Sequence, residues 1–235
     1  MKKLLLLLVL FSCNPKPTTI KQRIKTEVAL GKIREDITKI IEYQKEMGYH
    51  MPTIIQSPAS QAKIKETEKK LDLKFNQELK ELYLTINGVY LDGITPSGKT
   101  GIIPIHDLMD LDWSVEYYNS MDWQEHKEMY EIDYDLGEKL FPFITDGAGN
   151  SYWVDLNEET ENYGRLYWTN TFGDQPDYLF NSLTDFFDAI LKGYETKIFS
   201  LDSDGYLDCD YKKWGQICYR LDPSIPYWQE YVNEK

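Results

Sequence analysis

The clearest indication of the fold is residues 141–155, which read Phe-Pro-Phe-Ile-Thr-Asp-Gly-Ala-Gly-Asn-Ser-Tyr-Trp-Val-Asp. An apolar run, 139–144, precedes the segment Asp146-Gly147-Ala148-Gly149-Asn150, and an alternating run, 151–156, follows it. Gly, Asn and Asp tolerate positive φ, so the segment between the two runs predicts a hairpin turn. Short apolar and alternating runs are typical of strands. The stretch therefore predicts an antiparallel hairpin.

Further strands are expected on both sides of this hairpin, at residues 101–105 and 164–168, because each is a short apolar run bounded by turn residues. The helical signals lie outside this region. An amphipathic stretch runs from Ile24 to Gly48 with a break at Gly31. Strands grouped together and flanked by helices predict an α+β domain, a twisted antiparallel sheet packed by helices.

Three more helices are predicted from capping residues. Ser57-Pro58 is an N-cap pattern that opens a helix through Lys70, and Asn76 caps a helix that Asn87-Gly88 ends. Ser182, with Asp185 three residues later, starts a helix that we expect to stop at Gly193. Residues 196–235 form a separate tail whose many aromatic rings should pack back on the domain or cover a partner.

The first twelve residues have the pattern of an export signal. Two lysines precede an unbroken apolar run, Leu4–Phe11, which is too short to span a bilayer. Ser12-Cys13 follows, and Leu10-Phe11-Ser12-Cys13 resembles the bacterial lipobox, which implies cleavage before Cys13 and lipid attachment to its thiol. We expect a signal peptide (1–12), a lipidated tether (13–22), an N-terminal helix and linker (23–56), the main domain (57–195) and an acidic aromatic extension (196–235). An ordinary cleaved signal is the alternative.

Charge restricts the partners of this chain. The 235 residues contain 39 acidic and 26 basic side chains, a formal net charge of −13. Such a surface repels phosphate backbones, which disfavours nucleic acid as a main partner and makes a basic protein the natural complement. The alternative is that the acidic surface serves only to keep the protein soluble. Outside the cytoplasm the two remaining cysteines, Cys209 and Cys218, have two alternatives, a disulfide that staples the tail or a pair of free buried thiols.

Three patterns suggest chemistry and are rejected on their context. Residues 93–100 satisfy the phosphate-loop pattern G-x-x-x-x-G-K-[ST], but Pro104 follows where that loop requires a helix. Four aspartates surround Gly205 without the spacing of a calcium-binding EF-hand loop. The three histidines, His50, His106 and His126, lack zinc spacing. We therefore expect no metal, no cofactor and no catalytic residue.

Motifs across residues 57–193 occur in the order found in the SUKH superfamily, which includes a fungal cell-wall assembly regulator and bacterial immunity proteins that neutralise toxins. Ile64 to Leu73 is similar to the family's I-x-x-x-E-x-x-L-x-h helix, where h is any hydrophobic residue. Matching segments follow, namely Leu79 to Tyr83 with Asn87-Gly88, Ile103-Pro104-Ile105 with Leu108, Phe141 to Asp155, and the helix containing Phe186-Phe187. The chain departs from the family at Phe75-Asn76, where proline is common, and its N-terminal helix and aromatic tail have no counterpart there.

The SUKH resemblance implies a non-catalytic binding protein of the immunity type, which blocks a toxin domain through protein contact. The lipobox resemblance adds that Cys13 holds this protein at a membrane, facing away from the cytoplasm. Exposed aromatic and acidic residues would anchor that partner, and the candidates are Trp113, Trp123, Trp153, Trp168 and Asp146. Two alternatives stay open: an envelope scaffold or cell-wall ligand-binding lipoprotein, and a hydrolase of unknown type.

Overall fold

The structure is a computed structural model that describes residues 31–96, 98–130, 137, 139–170 and 175–233. The helices in these ranges are α1 (Lys32–Glu46), α2 (Gln61–Leu71), α3 (Gln77–Thr85), α4 (Leu111–Ser120), α5 (Trp123–Tyr130), α6 (Leu183–Glu195), α7 (Tyr211–Leu221) and α8 (Pro226–Asn233), with a 3₁₀ turn at Met51–Thr53. The strands are β1 (Asp107–Leu108), β2 (Leu140–Thr145), β3 (Ser151–Asp155), β4 (Leu166–Thr169), β5 (Asp177–Phe180), β6 (Phe199–Leu201) and β7 (Leu207–Cys209).

The predicted hairpin forms the middle of the main sheet. Strands β1 to β5 pair in chain order, every neighbour antiparallel, and β2 meets β3 from the pair Leu140–Asp155 to the pair Thr145–Ser151. In the turn between them, Gly147 and Gly149 have φ of 72° and 107°. The predicted α+β class and the hairpin turn are both confirmed.

The sheet is covered on both faces. Phe141, Phe143 and Val154 belong to the main core, which they share with residues of α1, α3 and α6. The opposite face carries a smaller buried cluster, in which Trp153 and Tyr167 pack with Trp123 of α5. Because strand residues alternate between faces, neighbouring residues such as Trp153 and Val154 belong to different layers.

Two helix starts illustrate how capping works in this chain. Asn76 accepts a hydrogen bond from the Leu79 amide, which confirms it as the cap of α3. The predicted cap at Ser57-Pro58 is wrong: Ser60 caps α2 and accepts from the Lys63 amide. Backbone bonds from Gln56 to Gly88 and from Ala59 to Tyr83 hold the preceding residues extended, which delays the helix.

Two further predictions are corrected by tertiary contacts. Residues 101–105 are not a strand but a tight turn, in which Ile105 has φ of 58° and His106 donates its amide to the Ile103 carbonyl. Gly193 does not end α6, which continues to Glu195. A Cβ at residue 193 would lie 2.3 Å from the Phe199 ring, so the glycine serves close packing.

The C-terminal extension packs back on the domain, which is one of the two roles that its aromatic rings predict. Trp214 is buried against Phe199 on α6's side of the core, and Trp228 donates its indole N–H to the Leu179 carbonyl of β5 at 2.7 Å. Strands β6 and β7 form a separate hairpin. No helix within the described ranges has the length and apolar character needed to cross a bilayer.

Candidate protein-binding surface

Two of the four predicted tryptophan anchors are core residues. Trp153 is fully buried and donates its indole N–H to Thr169 Oγ1, and Trp123 packs against it with ring centroids 5.0 Å apart. Such rings cannot meet a partner while this layer is intact, so both are assigned to the core. Trp113 and Trp168 are half-buried and stay candidates for partner contact.

Asp146 has a local structural role. Its carboxylate accepts hydrogen bonds from the amides of Ala148 and Asn150, at 2.8 and 2.9 Å, inside the hairpin turn. These bonds fix the turn that the sequence predicted. Its half-buried carboxylate remains at the surface of the turn, but most of its hydrogen-bonding capacity is used within the loop.

Large apolar side chains are exposed in the loop that follows Val89. Tyr90, Leu91 and Ile94 are 65%, 40% and 85% exposed, whereas most other large apolar residues in the described ranges are buried or half-buried. Grouped exposed apolar residues on a soluble domain mark contact sites more often than scattered ones do. This loop is therefore the best candidate for a binding surface.

Backbone and side-chain bonds give the loop its shape. The Val89 amide donates to the Leu108 carbonyl, and the Tyr90 amide donates to the Ile54 carbonyl at 2.8 Å. Beyond them, the Asp92 carboxylate accepts from the amides of Ile94 and Thr95 and from the Thr95 hydroxyl. The loop is thus closed on itself by Asp92, with the Ile94 side chain left in water.

One further exposed apolar side chain lies later in the same connection between α3 and β1. Ile105, 46% exposed, lies against Gly98, and Gly98 also lies against the Tyr206 ring of the β6–β7 turn. The buried Tyr49 donates its hydroxyl to the Gly98 carbonyl at 3.0 Å, which holds Gly98 in place between Ile105 and Tyr206. We call the exposed side chains of Tyr90, Leu91, Ile94 and Ile105 the loop-90 surface.

The charges beside the loop-90 surface are mainly negative. Asp92, Asp202 and Asp204 are exposed on the loop itself and on the adjoining β6–β7 turn. The ammonium of Lys99 is already used: it donates to the Asp204 carbonyl at 2.6 Å and lies 4.6 Å from the centre of the Tyr206 ring. An apolar centre with an acidic margin complements a basic protein.

In the phosphate-loop pattern at residues 93–100, of which all but residue 97 are described, the lysine and the threonine make other contacts. Lys99 is held by the β6–β7 turn, Thr100 is buried, and the tight turn at 101–106 follows in place of a helix. A phosphate loop needs free backbone amides at a helix N-terminus. Lys99 and Thr100 thus hold this segment against the β6–β7 turn and the core.

The acidic hairpin also uses its carboxylates internally. Asp202 accepts from the amides of Asp204 and Tyr206, and Asp210 caps α7 by accepting from the Lys213 amide. No group of three or more His, Cys, Asp or Glu side chains in the described part of the chain is arranged to hold a metal ion. The clustering in sequence thus reflects a turn and a cap.

The His106 ring and the Asp107 carboxyl are two titratable groups buried beside the same turn. The His106 Nδ1–H donates to the Pro104 carbonyl, its Nε2 is buried without a hydrogen-bond partner, and burial lowers the pKa of the ring. Burial raises the pKa of the Asp107 carboxyl, whose Oδ1 is likewise unpaired. Both shifts follow from desolvation, which opposes the charged form.

The two cysteines of the tail are free, buried thiols in the structure. Cys209 lies in β7 and Cys218 in α7. Burial raises the pKa of the Cys209 thiol to about 12 and that of Cys218 well above its ordinary value. Because the thiolate is the reactive form, both are poor nucleophiles. A disulfide between them stays a prediction for oxidising conditions.

Comparison with known proteins agrees with the architecture. No curated protein matches the chain. The SMI1 / KNR4 family (SUKH-1) matches residues 58–189, more than half of the chain, and this segment runs from just before α2 into α6. The matched segment includes the whole five-stranded sheet and the four residues of the loop-90 surface. The chain therefore belongs to the SMI1 / KNR4 family (SUKH-1).

Proposed function

We propose that this protein is a lipid-anchored, non-catalytic binding protein of the immunity type, which neutralises a toxin domain by covering it. The loop-90 surface carries the proposal. A family that includes immunity proteins, an exposed apolar loop and a net charge of −13 together favour capture of a basic protein.

The contact would concentrate on a few side chains. Ile94 projects furthest into water, and the loop below it is closed by Asp92, so little ordering entropy is lost when a partner covers it. The carboxylates of Asp202 and Asp204 at the margin would steer a basic partner and accelerate association. A single basic toxin domain is thus the occupant we assign to this surface.

The membrane anchor is a second part of the proposal and depends on sequence alone. Cys13 and the preceding apolar run lie outside the described residues. A thiol-linked diacylglycerol at Cys13 would hold the domain at the envelope, where it would meet an incoming toxin. We expect the wild type to incorporate labelled palmitate and partition with membranes, and Cys13→Ser to do neither. Lipid incorporation by Cys13→Ser would refute the anchor.

The neutralisation is tested with the toxin domains that genes adjacent to this one encode, and the lack of any such gene counts against the immunity function. We expect direct binding and survival of cells that express both proteins. Ile94→Asp should weaken binding by at least about thirtyfold, because a charge would replace an apolar anchor. Met129→Asp, at a residue 63% exposed on α5, is the matched control and should bind as the wild type does.

The outcomes separate the parts of the proposal. Equal binding by Ile94→Asp and the wild type would remove the loop-90 surface from the interface. Failure of the wild type to bind or protect would refute the immunity function, and binding of isolated cell-wall material in the same assay would favour the envelope-scaffold alternative instead.

A further inference from the structure

A pocket of about 390 Å³ lies where the end of α1, the end of α6 and strand β6 meet. Its lining residues fall within 43–47 and 194–201, so none belongs to the segment 58–189 that matches the family.

The floor of the pocket is aromatic and fixed. Tyr194 and Phe199 are each 3% exposed, with ring centroids 4.9 Å apart, and Tyr43 stacks near Tyr194 at 6.4 Å with an interplanar angle of 14°. The Tyr194 hydroxyl donates to the Ile102 carbonyl and accepts from Gln44 Nε2. These bonds hold the floor in place without a ligand.

The rim of the pocket carries more negative than positive charge. Glu46 and Glu195 are exposed there, together with one cation, Lys197. Neither glutamate has an ion-pair partner within 4 Å in the described part of the chain. Lys39 interacts with Glu195 electrostatically, but its ammonium is held by Glu35 at 2.6 Å. Both rim carboxylates are thus available to a ligand.

We propose that this pocket binds an arginine or lysine side chain of a basic polypeptide. The half-buried ring of Tyr43 can pack against the apolar stem of such a side chain and attract its cation, while the rim carboxylates pair with the charged end. Other ligand classes fit less well: an anion would face two carboxylates, and a purely apolar ligand would desolvate them.

The pocket is connected to the loop-90 surface by the β6–β7 hairpin. Leu201 of β6 lines the pocket, and the turn that follows it contacts Gly98 and Lys99. The same hairpin therefore contributes a residue to the pocket and contacts the loop that carries Ile94. The inference deepens the proposed function by naming a cationic anchor on the partner, and it rests on that function only for the partner's identity.

The test uses two small probes that differ in charge. N-acetylarginine amide and its neutral analogue N-acetylcitrulline amide are titrated into the purified protein, and backbone amide shifts are followed by NMR. We expect saturable shifts at Tyr43, Met47 and Leu201 with the arginine probe and no saturation with citrulline. Equal binding of both probes, or shifts confined to other parts of the chain, would overturn the proposal.

Variants of the rim locate the charge recognition. Glu46→Gln and Glu195→Gln should each weaken arginine binding about threefold, as expected for an exposed ion pair. Tyr43→Ala should also weaken it about threefold and Tyr43→Phe should restore it, since the ring face carries the attraction. Glu161→Gln, an exposed glutamate between β3 and β4, is the matched control. Unchanged affinity in the double glutamate variant would refute the assignment.

The design keeps this proposal separate from the toxin. Arginine binding without any toxin neutralisation would support the pocket and refute the immunity function. Neutralisation that depends on Ile94, in a protein that does not bind the arginine probe, would support the function and refute the pocket.

Discussion

Gly88 and Gly147 have nearly the same backbone conformation but different surroundings. Their φ angles are 73° and 72°, in the left-handed region that glycine adopts most easily. A Cβ at residue 88 would lie 2.3 Å from the Asp110 amide nitrogen, whereas a Cβ at residue 147 would meet nothing within 4 Å. The pair therefore separates backbone strain from steric overlap.

We expect Gly147→Ala to lower the free energy of unfolding by about 1–2 kcal/mol, the cost of a left-handed alanine. Gly88→Ala should cost about 3 kcal/mol or more, because the backbone of residues 109–110 must also move. Urea unfolding followed by far-UV circular dichroism measures both. Equal losses would show that the backbone of residues 109–110 can move away from residue 88 at no cost in free energy.

Asp107 and Asp92 have pKa shifts of opposite sign. Burial raises the pKa of Asp107 above that of an exposed aspartate, so the folded state binds more protons than the unfolded state. The stability of the fold therefore falls as the pH rises through and above the ordinary aspartate pKa. Hydrogen bonds from the Thr95 and Ile94 amides lower the pKa of Asp92, so its contribution is present above the ordinary value and is lost in acid.

The substitution Asp107→Asn should accordingly gain stability relative to the wild type as pH is raised from 3 to 7. Asp92→Asn should show the reverse trend, with its deficit at pH 7 disappearing in acid. Chemical unfolding at a series of pH values measures both differences. A parallel pH dependence of Asp107→Asn and the wild type would mean that the buried carboxyl does not titrate differently on folding.

At the scale of elements, helix α3 organises two other helices through its glutamates. Glu81 Oε1 accepts from the amides of Gly31 and Arg34 at 2.7 and 3.1 Å, where α1 begins without a side-chain cap of its own. Glu78 accepts from the Leu183 amide and the Thr184 hydroxyl at the start of α6. Each carboxylate satisfies amides that a helix leaves unpaired and complements its dipole.

Removing the Glu81 contact should destabilise the first turn of α1, which is distant from α3 in sequence. We expect Glu81→Ala to cost about 1–3 kcal/mol and to speed amide hydrogen exchange in the first turn of α1. Glu81→Gln, which keeps an acceptor, should lose less. Glu66→Ala, on the exposed side of α2, is the control, with an expected change within about 0.5 kcal/mol. Unchanged exchange in α1 would refute the capping role.

At the scale of the whole molecule, the C-terminal extension belongs to the same packed core as the sheet. Trp228 is 3% exposed, bonds to β5 and packs 5.5 Å from the Phe180 ring. Trp214 lies against Phe199, which in turn fills the space left by Gly193. The extension and the family domain should therefore unfold together.

We expect Trp228→Ala to destabilise the entire protein by about 3–5 kcal/mol, as for other buried large-to-small substitutions. Tyr211→Ala, at a residue 56% exposed on α7, should have a much smaller effect. Thermal unfolding followed by both far-UV and aromatic circular dichroism should give one coincident transition. Two separate transitions, with only the first shifted by Trp228→Ala, would show an independently folding tail.

The sequence alone determined the parts of the fold whose signals are local. The caps at Asn76 and Ser182, the turn at residues 146–150 and the alternation of β3 each depend on neighbouring residues, and each is found in the structure. Family motifs in chain order then indicated the α+β architecture. Export and lipidation through Cys13 are sequence predictions of the same local kind.

Tertiary structure decided what depends on distant residues. It placed the N-cap of α2 at Ser60 because Gln56 and Ala59 bond to Gly88 and Tyr83, and it added β5, which no pattern in the sequence predicts. It buried Trp123 and Trp153 while exposing Ile94, since residue type does not reveal which face another element covers. It also brought Tyr43, Tyr194 and Phe199 into one pocket. Burial and proximity are sums over contacts far apart in sequence, and only the packed chain fixes them.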